Sequence, residues 1–143
     1  MRARLALIAE SYRRLTGRAL VPGGTDTAEA LWEAPHVILA HGTEPDPIFF
    51  FGNRAALARF GMTLDAFAAM PSRLSAEPLH RDERQALLGR VTRDGFIDDY
   101  GGNRIAADGS RFRVEGATVW NLIDADGAVH GQAATFDRWT PLD

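Results

Sequence analysis

The last third of the chain reads as three strands joined by two tight turns, and this pattern limits the possible folds more than any other. Phe96 to Ile105 leads into a turn at Ala107-Asp108-Gly109, and Phe112 to Ile123 leads into Asp124-Ala125-Asp126-Gly127. Val129 to Phe136 closes the set. Both Asp-Gly steps are hairpin signals, because glycine accepts positive φ without steric cost. The result is an antiparallel meander at the C-terminal end of whatever sheet the chain builds.

The elements before it fit the same sheet. Leu5, Ile8, Tyr12 and Leu15 recur at three- and four-residue steps, with Arg4, Arg13 and Arg14 elsewhere on the wheel. That spacing predicts an amphipathic helix ending near Gly17. Asp26, with Glu29 three residues on, predicts a capped second helix stopped by Pro35. His36–Ala40 and Pro47–Phe51 read as short strands joined by the polar loop His41–Asp46. Asn53 caps a helix ended by Gly61, and Thr63 caps a further turn running to Met70. A longer helix from about Asp82 carries Leu87, Leu88 and Val91 and ends at Gly95. Two strands, a helical crossover and the meander make an α+β domain with a five-stranded antiparallel sheet and short helices on one face. The other face needs a cover, and the leading amphipathic helix supplies it. Residues 1–34 are therefore expected to form an N-terminal helical cap, and residues 35–139 the sheet domain. Phe49, Phe50 and Phe51 in succession cannot all face one side of a strand, which again asks for a sheet covered on both faces.

Composition removes several functions. Sixteen basic against nineteen acidic residues leave a net charge of −3, so nothing draws the chain onto phosphate backbones, and nucleic acid is not expected as a partner. The absence of cysteine excludes disulfides, thiolate chemistry and cysteinyl-flavin adducts. The N-terminus starts like a signal peptide, but its apolar run breaks at Glu10, and no stretch is long enough to span a membrane. A cytoplasmic location is expected.

A family likeness rests on specific strings. Ile48-Phe49-Phe50-Phe51-Gly52-Asn53, Phe60-Gly61-Met62-Thr63, Asp108-Gly109, Asp124-Ala125-Asp126-Gly127 and Thr135-Phe136-Asp137 resemble the PAS pattern. More closely, the segments 41–49, 71–77, 95–100, 117–124 and 130–136 resemble stand-alone bacterial members of the MEKHLA family, a PAS-like group also found at the C-terminus of plant homeodomain-zipper regulators. The six-letter string that names the family is absent here. The resemblance implies a sensory or regulatory PAS-like domain and carries no activity with it.

Among the polar residues, Asn121, between Trp120 and Leu122, and His130, after Val129, are placed by their neighbours at buried positions about opposite one another, with Gln132 on the same face as His130. A buried amide and imidazole must be hydrogen-bonded, to each other and the backbone or to a ligand. Tyr100 and Arg104 share a face of the first meander strand, where Arg104 can take a carboxylate or phosphate, or pair with Glu115, Asp98 or Asp99. With Asn53 and Trp120 these form the candidate ligand-binding set: Asn53, Tyr100, Arg104, Trp120, Asn121, His130 and Gln132. His41, Glu44 and Asp46 are few ligands for a metal and read as fixing their loop; His80 sits at a polar helix start unsuited to haem.

The expected function is a non-catalytic sensory module that binds a small organic ligand or a protein partner and signals through that partner or through homodimerisation. The cofactor is left open. The alternative is a small enzyme of the nuclear-transport-factor-like type, an isomerase, cyclase or hydrolase, with His130 as acid or base and Asp98 or Asp99 orienting it. The early hairpin and central helices favour the sensory fold.

Overall fold

The amphipathic N-terminal segment forms α1 (Arg2–Thr16), which buries Leu5, Ile8 and Tyr12 along one side. This computed structural model describes residues 2–23, 26–76 and 81–142. Asp26 caps α2 (Thr27–Glu33), its carboxylate accepting from the Ala28 and Glu29 amides at 2.9 and 3.4 Å. Strands β1 (Val37–His41) and β2 (Phe49–Gly52) pair antiparallel. Asn53 and Thr63 then cap α3 (Arg54–Phe60) and α4 (Leu64–Phe67), as the sequence predicts. Gly61 closes α3 at a φ of 68°, a left-handed position that favours glycine. A 3-10 turn at Ser72–Ser75 precedes α5 (Arg81–Asp94). The meander is β3 (Phe96–Ile105), β4 (Arg111–Ile123) and β5 (Val129–Phe136), followed by β6 (Trp139–Leu142). His80 and the Leu88 side chain lie outside the described residues.

The sheet order is β2-β1-β5-β4-β3, with every pair antiparallel. It has a sixth strand beyond the five expected. β5 pairs with β4 at Thr118–Ile123 and β6 with β4 at Arg111–Val114, so β6 continues the line of β5 after an interruption at Asp137-Arg138. Pro141 within β6 lacks a ladder donor and hides the strand from a sequence reading. Trp139 holds it down, packing edge-on against Phe136 and over the Arg59 guanidinium, which also lies 4.0 Å above the Phe112 ring.

The two sides of the sheet carry separate cores. On one side α3, α4 and α5 cover Val37, Leu39, Phe49, Ile97, Tyr100, Phe112 and Val119. On the other, α1 and α2 cover Ile38, Ala40, Phe50, Phe51, Trp120 and Leu122. The three phenylalanines show how the strand manages this. Ala40 pairs with Phe51 but His41 with Phe49, so Phe50 is an extra residue in a bulge. The bulge turns Phe50 and Phe51 toward α1 while Phe49 stacks on Phe67 with ring centres 4.3 Å apart. The cover on the far side is pinned as well as packed. The Trp120 indole donates to the Ile8 carbonyl at 3.1 Å, and Ser11 both donates to the Ile123 carbonyl and accepts from its amide.

Candidate functional site

β4 sorts the candidate residues by alternation. Val119 and Asn121 face the α5 side, while Trp120 and Leu122 face α1. On the α5 side a cavity of about 30 Å³ lies between the helix and the sheet. Its walls include Leu39, Phe49, Ile97, Val119 and Ala134 from the sheet side and Leu87 and Val91 from α5. Among the described residues four polar side chains reach it: His41, Tyr100, Arg104 and Gln132. That volume holds roughly two water-sized spheres, too little for an organic molecule unless the walls yield.

The polar groups are organised in two ends. At one end His41 and Gln132 are paired neighbours across β1 and β5. The Gln132 amide donates to the Asn121 carbonyl oxygen at 3.0 Å, and the Asn121 amide donates in turn to the Val91 carbonyl of α5 at 3.1 Å. The backbone amide of Asn121 adds a bond to the Gly95 carbonyl at 3.0 Å, clamping the end of α5 to β4. His41 and Gln132 also line a surface groove between the β1–β2 loop and the β4–β5 turn, so this end of the cavity adjoins that groove. At the other end, Arg104 donates to the Ser75 hydroxyl at 3.0 Å and lies 5.5 Å from the centre of the Tyr100 ring.

Of the seven candidates, the structure brings Tyr100, Arg104 and Gln132 into the cavity wall, with Asn121 directly behind Gln132. It does not bring the other three there. Asn53 is fully buried and its side chain is committed to the backbone of Leu31, His36, Ile38 and Ala56. Trp120 lies on the opposite face, against Tyr12. His130 is exposed, its Nε2 2.8 Å from Asp124 Oδ2. The expected register therefore needs correction: Asn121 sits opposite Gln132, and His130 is the extra residue of a bulge between the Leu122–Gly131 and Ile123–Val129 pairs. The bulge turns the imidazole outward. The His130 ring, then the Ala128 amide, hold the Asp124 carboxyl below its usual range.

The acid–base arrangement of an enzyme, with His130 beside Asp98 or Asp99 in a pocket, is not what these residues form. Asp98 and Asp99 lie on β3 with β4 between them and β5, and they face Arg18 and Arg90 respectively, at 3.9 and 3.4 Å. In the first loop, Glu44 accepts from the Ile48 amide, and its own amide and that of Ile48 keep its carboxyl low; Asp46 pairs with Arg73. Among the described residues no group of three or more His, Cys, Asp or Glu side chains is arranged for a metal ion.

Two residues escaped the sequence reading, His41 in the cavity wall and Ser75 behind Arg104. His41 had a signal, since it follows Leu39 by two and so shares its face on β1. Ser75 had none: it meets Arg104 across 29 positions of chain, through the bridge between Ala76 and Arg104.

An antiparallel sheet in this order, with helices and a cavity on one face, defines a PAS-like fold. The chain superposes on a PAS domain from Colwellia psychrerythraea with a TM-score of 0.66 at 13% identity, covering 78% of this chain and 92% of that one. It superposes on a PAS domain of a LuxR-family transcriptional regulator from Burkholderia thailandensis, solved in complex with ethanol, with a TM-score of 0.62 at 16% identity, over 79% and 97% of the two chains. The particular family is more specific: the MEKHLA domain matches residues 2–141, and the chain belongs to that family. The homeobox-leucine zipper protein HOX33 of Oryza sativa subsp. indica is 30% identical over 141 residues, 93% of this chain and 16% of that protein's length. The chain thus spans about a sixth of the relative it matches. Among the described residues no helix is long and apolar enough to cross a membrane.

Proposed function

We propose that the chain is a regulatory module in which a small organic molecule enters beneath α5 and changes how the domain meets a protein partner or a second copy of itself. The observation that carries this reading is the cavity, apolar through its middle with four polar side chains at its ends. Binding sites for small molecules have this composition. Tyr100, Arg104 and Gln132 are the proposed contacts, with Asn121 holding Gln132 and His41 at the end that adjoins the groove. The signal arises from the size mismatch. A ligand larger than the closed cavity displaces α5, and the Asn121 clamp transmits that displacement to β4 and, through Trp120 and Ser11, to α1 on the far face. Residues 1–34 act on this reading as the output cap and 35–139 as the sensing domain, working in the cytoplasm without catalysis. The ethanol complex of the Burkholderia thailandensis domain is a precedent for a small occupant in this fold.

Native mass spectrometry and an absorption spectrum of the full chain, purified without denaturation, test the reading. Added mass that disappears in Ala134→Leu, which fills the cavity, supports it. A bare polypeptide mass, with no thermal shift across a panel of small acids, alcohols and amides, refutes a ligand-binding role and leaves a protein-contact module.

A further inference from the structure

We infer that the ligand beneath α5 is a short aliphatic monocarboxylate whose head group is held by Arg104; this rests on the ligand-binding reading above and names the chemistry of its site. The middle of the cavity is one apolar level of the sheet, where Leu39 pairs with Ala134, Ala134 with Val119 and Val119 with Ile97. Among the described residues no side chain at that level accepts a hydrogen bond from a polar ligand body. Arg104 is different. Its guanidinium is half-buried at the cavity wall, and the partners it has among the described residues are the Ser75 hydroxyl and the Tyr100 ring. The acids that the sequence offered it are taken: Asp98 by Arg18, Asp99 by Arg90 and Glu115 by Arg113.

A guanidinium stays charged at physiological pH and presents a planar fork of donors that matches a carboxylate. One hydroxyl and one ring face leave most of that fork unused and its charge uncompensated by any described acid. A charge beside an apolar cavity is stabilised by a counter-ion that brings its own acceptors. The apolar level then selects the body of the ligand behind its head group. A second charge placed within that level, as on a dicarboxylate or a nucleotide, would sit against Leu39 and Val119, away from His41 and Gln132 at the other end. An alkyl tail matches that level chemically and faces Leu87 and Val91, the α5 side chains that line the cavity. The small volume favours a short chain over an aromatic acid.

The test is calorimetric titration of the full chain with butyrate, with butyramide as the neutral isostere and inorganic phosphate as a different anion. Butyrate is expected to bind, with butyramide and phosphate much weaker. Arg104→Gln should weaken butyrate about ten- to a hundredfold, the usual loss for a hydrogen bond to a charged group. If that variant does not fold, Ala134→Leu leaves Arg104 in place, narrows the apolar level and should abolish binding. Butyrate and butyramide binding equally, phosphate competing with butyrate, or butyrate not binding at all would each overturn the inference. Added mass in the native spectrum alongside any of those results would show a ligand site of other chemistry. A bare native mass with no binding would remove the site itself.

Discussion

Replacing Asn53 by alanine should be among the most costly single changes in this domain, although the residue touches no proposed ligand. Its side chain is fully buried and makes four hydrogen bonds. The Oδ1 accepts from the amides of Ile38 and Ala56 at 3.1 and 3.0 Å, and the Nδ2 donates to the carbonyls of Leu31 and His36 at 3.1 and 2.9 Å. One amide therefore ties α2, β1 and α3 together. Losing an N-cap costs about 1 kcal/mol. Stranding the buried backbone groups around it adds roughly 2 kcal/mol more. The sum, about 3 kcal/mol, is a large share of the roughly 5–15 kcal/mol that holds a domain folded. For a chain of this length it corresponds to a fall in melting temperature of about 10–15 °C. Urea unfolding followed by circular dichroism measures it directly. Asn53→Ser separates the contributions, because serine can keep the cap but cannot donate to Leu31 and His36. A loss under about 1 kcal/mol for Asn53→Ala with an unchanged m-value, or a fully stable Asn53→Ser, would refute the argument.

Two further predictions concern the β3–β4 turn and strand β5. The Ser110 side chain and then its amide hold the Asp108 carboxyl below its ordinary range. A carboxyl lowered in the folded state stabilises the fold above its unfolded pKa, near 4, and loses that contribution as pH falls through the folded value. The difference in melting temperature between wild type and Asp108→Asn should therefore be present at neutral pH and vanish on acidification below about pH 4; a difference independent of pH would contradict it. Gly131 has a φ of 145°, and a Cβ there would land on the His41 carbonyl. Gly131→Ala should destabilise by at least about 2 kcal/mol in urea unfolding, and a neutral result would mean the β1–β5 approach is looser than described.

Local signals in the sequence set most of the elements, with β6, which contains Pro141, the exception. Asp26, Asn53 and Thr63 start helices where local hydrogen bonding requires, and the Asp-Gly turns set the meander, because these signals act within a few residues. The burial of Phe49, Phe50 and Phe51 was legible because three adjacent rings cannot share one strand face. Strand alternation puts Tyr100 and Arg104 on one face, and both line the cavity; Gln132 lines it too, although the sequence groups it with His130, which points outward. Three features came from tertiary packing alone. The bulge at His130 shifted a register that turn length left open, moving Gln132 opposite Asn121 and the imidazole into solvent. Asn53 was drawn from a ligand role into a structural knot because α2 and β1 converge on it from 22 and 15 residues away. Arg104 met Ser75 and none of its nearby acids because β3 presents those acids to Arg18 and Arg90 on other surfaces. Each of these depends on which distant segments share a volume, a choice made by the packing of the whole chain and not by its local propensities.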